Sequence, residues 1–139
     1  MIEDDFSLCM LANARKAARA VSRRYGREAR KIGLTPAQFS VLTLIQQGQG
    51  KTTGELADFC FLERTTLIRN IAVLERDELV VAGAAEEGRG KVYSLTAKGE
   101  ALVTKALPLW SKAQGDLAEE LGRDAFLDAI RVLKVLSTV

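Results

Sequence analysis

The side chains best suited to chemistry in this sequence are the guanidinium and hydroxyl groups gathered between Arg64 and Arg76. The chemistry they suit is recognition of a nucleic acid. An arginine can bond both acceptors of a guanine, and a threonine offers a hydroxyl together with a methyl that fits thymine. Arg69 and Thr66 are the leading candidates for reading bases, with Thr65 and Asn70 beside them. Thr66 and Asn70 also flank an apolar stripe, so bonding to local backbone is the alternative for both. Arg64 stands at the start of the segment, where phosphate is a more natural partner than a base edge. Thr53, placed to cap the preceding helix, is a second phosphate candidate because a helix start presents free N–H groups; capping alone is its alternative. Arg89, between Gly88 and Gly90, suits the minor groove, whose narrow stretches concentrate negative potential, and Lys91 beside it suits phosphate. The competing reading of that loop is an ordinary charged hairpin tip.

Other chemistry is poorly supplied. The chain has no histidine, which removes the usual general base and the commonest metal ligand together. No glycine-rich phosphate-cradling motif occurs, and the paired acids Glu86–Glu87 and Glu119–Glu120 are chain neighbours whose side chains diverge. Cys9 and Cys60 are too few for a zinc site and lack CxxC spacing. The expectation is a protein that is not an enzyme, with no metal and no cofactor. Cys60, following Phe59 at the end of an amphipathic helix, reads as a small buried hydrophobe. Cys9 lies off the apolar stripe of the first helix, with Arg15 and Lys16 within two turns. A helix N-terminus and nearby cations favour the oxidisable thiolate, so Cys9 is either a redox sensor or a plain packed thiol.

The elements that must position these groups follow from periodicity. Leu67, Ile71 and Leu74 recur at i, i+4 and i+7, which turns Thr65, Arg69, Ala72 and Arg76 to the opposite face of one helix. Val80 and Val81, then Val92, Tyr93 and Leu95, are strand-forming runs on either side of the polar loop Glu86 to Lys91. The segment from Gly54 to Thr96 therefore reads as a helix-turn-helix followed by a β-hairpin wing, with Leu56 and Phe59 in the core and a turn over Cys60 to Glu63. Before it, one helix is expected from Asp5 to Ile32 on the stripe Leu11, Ala18, Val21, Tyr25, Ala29 and Ile32, with Gly26 as its weak point. Gly33 stops it, and Thr35 with Pro36 opens a second helix that points Phe39, Leu42 and Ile45 inward. After the wing, Thr96 caps a helix on Leu102, Ala106, Leu109, Ala113 and Leu117 that Pro108 should bend. Gly122 ends it, and a last helix to about Ser137 carries Phe126, Ile130 and Leu133 on one side.

A first helix of that extent would be about 40 Å long, more than a domain of 139 residues can cover by itself. With the last two helices it would expose a large apolar patch unless a second copy met it. A homodimer resolves this, and it places two recognition helices for a palindromic site in double-stranded DNA. The formal net charge of +2 says little, but its distribution says more. Eight basic residues lie between Arg15 and Lys31 against the single acid Glu28, while Asp116 to Asp128 is mostly acidic. Such asymmetry would orient the molecule on a polyanion. No apolar run approaches the roughly 20 residues a membrane span needs, and the acidic start MIEDDF is unlike a signal peptide, so a cytoplasmic protein without membrane contact is expected.

These residues resemble the MarR family of winged-helix transcription regulators. The resemblance is carried by LTPAQFSVL at Leu34 to Leu42, GELADF at Gly54 to Phe59, RTTLIRNIAVLERDELV at Arg64 to Val80, and EEGRGKVYSLTAKGEAL at Glu86 to Leu102. Two positions depart from the family's pattern. Its wing usually has an Asp two residues before an Arg, where this chain has Glu87 and Arg89; its recognition helix usually follows a good cap such as Asp or Ser, where this chain has Glu63. The resemblance implies a mainly α fold with a small β-hairpin wing, an α+β winged helix-turn-helix over residues 34–96. Residues 1–33 and 97–139 would then form a helical dimerisation part. It further implies a homodimeric repressor released from its operator by a small-molecule effector or an oxidant acting where the dimer helices meet the reading domain. The organic-hydroperoxide sensors of the family are similar in carrying a cysteine in the first helix. A winged-helix protein-interaction adaptor without operator binding is the alternative, which the basic, threonine-rich outer face disfavours.

Overall fold

Capping and close glycine contacts set where the elements begin and how they meet in the computed structural model, which describes residues 5–48, 51–59, 63–85 and 90–138. Helix α1 runs Met10–Arg30, and Gly33, at φ +75°, turns the chain after it. Helix α2, Pro36–Gln47, opens on a reciprocal box: the Gln38 N–H donates to the Thr35 hydroxyl at 3.1 Å, and the Thr35 N–H donates to the Gln38 side chain at 3.1 Å. With Pro36 in the first turn, few donors are left unpaired there. Helices α3 (Thr53–Phe59) and α4 (Arg64–Arg76) follow, then strands β1 (Val80–Ala84) and β2 (Lys91–Leu95), and helices α5 (Ala97–Leu121) and α6 (Arg123–Leu136). The strands pair antiparallel in a register that sets Val80 opposite Leu95 and Ala84 opposite Lys91. The mainly helical fold with one hairpin is thus the expected one.

The core lies where α2, α3, α4 and the strand entry converge. Leu42, Ile45, Leu56, Leu67 and Leu74 are essentially inaccessible, and Ile71, Leu79, Val80 and Val103 close around them. Burying each such side chain contributes roughly 1.5–3 kcal/mol of transfer free energy, which is why this stripe determines which face of α4 turns outward. The wing is fixed to α5 by a compact joint. Glu78 adopts a left-handed φ of 61°, its carbonyl accepts from the Thr96 hydroxyl at 2.6 Å, and that hydroxyl accepts from the Gly99 N–H at 3.0 Å as the α5 cap. A Cβ on Gly99 would stand 2.1 Å from the Leu79 carbonyl oxygen, so only glycine lets α5 approach this closely.

Several expectations need correction. The first helix does not run from Asp5. Asp5 caps a short 3-10 turn, Phe6–Leu8, by accepting from the Ser7 N–H and hydroxyl, and the backbone is extended at Cys9 before α1 begins. The Asn13 amide donates to the Ser7 and Cys9 carbonyls, so side chains here compete with the helical ladder and stop it early. Gly26 is not a weak point: it is buried, and a Cβ there would come within 3.1 Å of the Pro36 ring, so it lets α1 and α2 cross closely. Phe59 is not core; it is 67% exposed, with the Lys51 ammonium 3.6 Å above its ring. The charge asymmetry is partly consumed inside the chain, because Arg24 of α1 pairs with Glu120 of α5. Cys60 and the wing-loop residues 86–89, Arg89 among them, lie outside the described residues.

Candidate DNA-reading surface and effector cavity

Because Leu67, Ile71 and Leu74 of α4 are buried, the opposite face of this helix is committed to solvent. Thr65 and Arg69 are exposed on it, and Arg69 makes no hydrogen bond or ion pair among the described residues. Arg76, one further step along this face, pairs loosely with Asp77 at 3.4 Å. Arg64 is the exposed first residue of α4, and Glu63 before it makes no side-chain cap, as its chemistry suggested. The two residues read as ambiguous divide: Thr66 is half-buried, and the Asn70 amide donates to the Thr66 carbonyl at 2.9 Å, a local backbone contact. Ile68, 49% exposed, is an aliphatic residue on this helix that the apolar spacing does not single out. It lies one turn from both Thr65 and Ala72 and extends the outer face with apolar surface.

The helix before the reading helix is capped one residue earlier than expected. Thr52, not Thr53, forms the cap: its hydroxyl accepts from the Glu55 N–H at 3.3 Å, and the Glu55 carboxylate accepts from the Thr52 N–H at 3.1 Å. The Thr52 N–H and hydroxyl, both placed to donate to the Glu55 carboxylate at 3.1 Å, hold that carboxyl below its ordinary range. Thr53 is the first helical residue, so a phosphate role for it rests on its amide N–H and not on a capping hydroxyl. Thr52 also bridges Val92 of β2, which joins the start of α3 to the wing. Lys91, exposed at the first position of β2, forms no ion pair among the described residues.

A second feature lies behind the reading surface. A cavity of about 620 Å³ separates α1, α2 and α5, walled by Tyr25, Phe39, Trp110, Leu109, Ala29 and Pro36. Tyr25 is oriented by a hydrogen bond from its hydroxyl to the Gln114 side chain. Among the described residues the one charged group on the lining is Glu28, whose carboxylate accepts from Lys31 at 2.7 Å and faces Lys112 at 3.4 Å. The Lys31 bond holds this carboxyl below the usual carboxylate range against the opposing effect of burial, so it is ionised at neutral pH. Glu28 and Trp110 carry no sequence signal as cavity residues, because the space forms only when three distant segments converge. Cys9 is at the helix start: half-buried, it caps α1 as its sulfur accepts from the Ala12 N–H at 3.5 Å. Among the described residues no cluster of His, Cys, Asp or Glu is placed to hold a metal, and no helix is long and apolar enough to cross a membrane.

Known proteins share this arrangement. The MarR family model matches residues 32–90. An HTH-type transcriptional regulator of Bacillus cereus is 34% identical over 79 residues, covering 57% of this chain and 52% of that protein. The chain thus spans about half the length of the curated relatives it matches. Among solved structures, the M. tuberculosis transcriptional regulator MosR is 36% identical, covers 96% of this chain and 99% of its own, and superposes with a TM-score of 0.81. MosR in complex with DNA is similar at 37% identity, 94% and 97% coverage and a TM-score of 0.79. The transcriptional repressor CouR bound to p-coumaroyl-CoA is 26% identical, with coverage of 97% and 96% and a TM-score of 0.85. The family's business is regulation of transcription and not catalysis, and with a buried α4 stripe, a hairpin wing and full-length likeness to MosR, this chain belongs to the MarR family of winged-helix transcription regulators.

Proposed function

We propose that the protein is a homodimeric repressor that reads a palindromic operator in double-stranded DNA and is released by a small-molecule effector or an oxidant. The observation that carries this reading is the outer face of α4, where Arg69 and Thr65 stand exposed, without a hydrogen-bond or ion-pair partner among the described residues, above a fully buried stripe. Arg69 reads guanine from the major groove, with Thr65 and the hydroxyl of Thr66 beside it. Arg64 and Lys91 bond phosphate, the amide of Thr53 adds a further backbone contact, and Asn70 acts through the Thr66 backbone it already holds. Arg89 at the wing enters the minor groove. Two copies related by a two-fold axis set half-sites about 10 base pairs apart. The DNA complex of MosR supports the DNA partner, and the exposed apolar residues of α1 and α6 support the second copy.

The cavity between α1, α2 and α5 is the effector site in this reading. It touches both the terminal helices and α2 of the reading domain, so a ligand there biases the spacing of the two recognition helices. The ligand-bound structure of CouR supports an effector of this kind. Cys9 is the oxidant-sensitive group: a hydroperoxide transfers its terminal oxygen to the sulfur, giving a sulfenic acid and an alcohol, and the helix cap at Ala12 is lost. Peroxide should then release DNA from the native protein and not from Cys9→Ser; the same response in both removes Cys9 from the account. For DNA binding itself, affinity for promoter DNA is measured across a salt series. A steep linear fall of log affinity with log salt, about 0.9 per phosphate contacted, is expected. No binding at low salt would leave the adaptor reading instead.

A further inference from the structure

We infer that the cavity between α1, α2 and α5 selects an uncharged or cationic aromatic ligand and excludes carboxylates, because the only charge on its wall among the described residues is the Glu28 carboxylate. The inference rests on the cavity being the effector site and adds the chemistry of what enters it. Three aromatic side chains, Tyr25, Phe39 and Trp110, provide flat apolar walls, and about 620 Å³ is within the range of pockets that enclose drug-sized molecules. Ser22, Ser40 and Thr35 add hydroxyls that can bond an amide, a phenol or an amine. Among the described residues none on the lining is a lysine or an arginine.

The two nearby cations do not alter this selection. Lys31 is bonded to Glu28, and Lys112 is shared between Glu28 at 3.4 Å and Asp116 at 3.0 Å. Neither is among the described residues that line the cavity, and more than half of each side chain is exposed. A ligand carboxylate would have to sit beside an ionised carboxylate whose own counter-charges are already engaged. An amidinium or an amide N–H in the same position meets an acceptor. The cost of like charges in a partly enclosed site is large enough to discriminate between ligands of the same shape.

Benzamidine, benzamide and benzoate have nearly the same shape and carry +1, 0 and −1 charge, so they isolate this effect. Trp110 is the only tryptophan in the chain and lies on the cavity wall, so its fluorescence reports occupancy of the full-length protein without DNA. Benzamidine and benzamide should each give saturable changes at concentrations about tenfold or more below those needed for benzoate. In Glu28→Gln the like charge is removed while Lys112 keeps its Asp116 partner, and the preference over benzoate should shrink to about twofold or less. Should that variant fail to fold, the comparison of the three probes on the native protein decides alone. Benzoate binding as tightly as benzamide overturns the charge selection; if benzoate then also releases DNA, the effector cavity survives and only its assigned chemistry falls. No Trp110 response to any probe up to its solubility limit overturns both.

Discussion

The reading module and the terminal helices solve the problem of burying apolar surface in opposite ways. In α2, α3 and α4 the large aliphatic residues face one another, and Leu42, Leu56 and Leu67 are within 1% of full burial. In α6 no residue is buried, and Leu127, Leu133 and Val135 are each more than half exposed. The first half of α1 behaves like α6: Leu11 is exposed and Ala18 and Val21 lie open, whereas Gly26 and Ala29 at its other end are packed. One part buries its stripe within a single chain, and the other leaves its apolar residues exposed, the surface that the proposed second copy would cover. The cavity lies at the boundary between the two, lined by residues of α1, α2 and α5.

Two substitutions at matched leucines break this contrast most directly. Leu42→Ala should cost about 2–5 kcal/mol of stability at every protein concentration, since the void it leaves is enclosed by its own chain. Leu133→Ala should leave a dilute single chain nearly unchanged and weaken self-association about tenfold, the effect of trimming one interface leucine. Chemical denaturation and sedimentation at several concentrations separate the two outcomes. Equal, concentration-independent losses for both variants would show that α6 is not an interface. A smaller effect sharpens the picture at the wing root: Thr52→Ala should cost about 1 kcal/mol through loss of the α3 cap, and Thr53→Ala a few tenths. The reverse order, read from thermal melts of the two variants, would contradict the capping assignment.

The sequence makes the reading helix legible because its code is local. Leu67, Ile71 and Leu74 repeat within a single element, and the same rule places Thr65 and Arg69 outside without reference to any other part of the chain. Thr35 with Gln38, and Thr96 before Ala97, are similarly short-range, and both caps form as their residue types dictate. Adjacent hydroxyls are harder. Thr52 and Thr53 are both capable caps, and the choice falls to Thr52 because Glu55 stands three residues after it and returns the bond, a T-x-x-E signature that Thr53 lacks. The stop at Cys9 depends on three side chains, Asp5, Ser7 and Asn13, that together outbid the helical backbone over the five residues from Asp5 to Cys9. Phe59 escapes the core because α3 is only seven residues long, and Leu56 already fills the place on its inner side. The cavity is the least legible feature. Tyr25, Phe39 and Trp110 are far apart in the chain, and each alone reads as ordinary packing.

The central claim is that the exposed face of α4 reads bases, and the measurement that tests it most directly is the affinity of Arg69→Ala for two duplexes. One is recovered by selection from a random pool with the native protein, and the other is of random sequence. Loss of a guanine-reading arginine should weaken the selected duplex by about 1–3 kcal/mol and leave the random one nearly unaffected. Equal losses on both duplexes, or none on either, would mean that Arg69 does not read sequence and that the outer face of α4 serves another purpose.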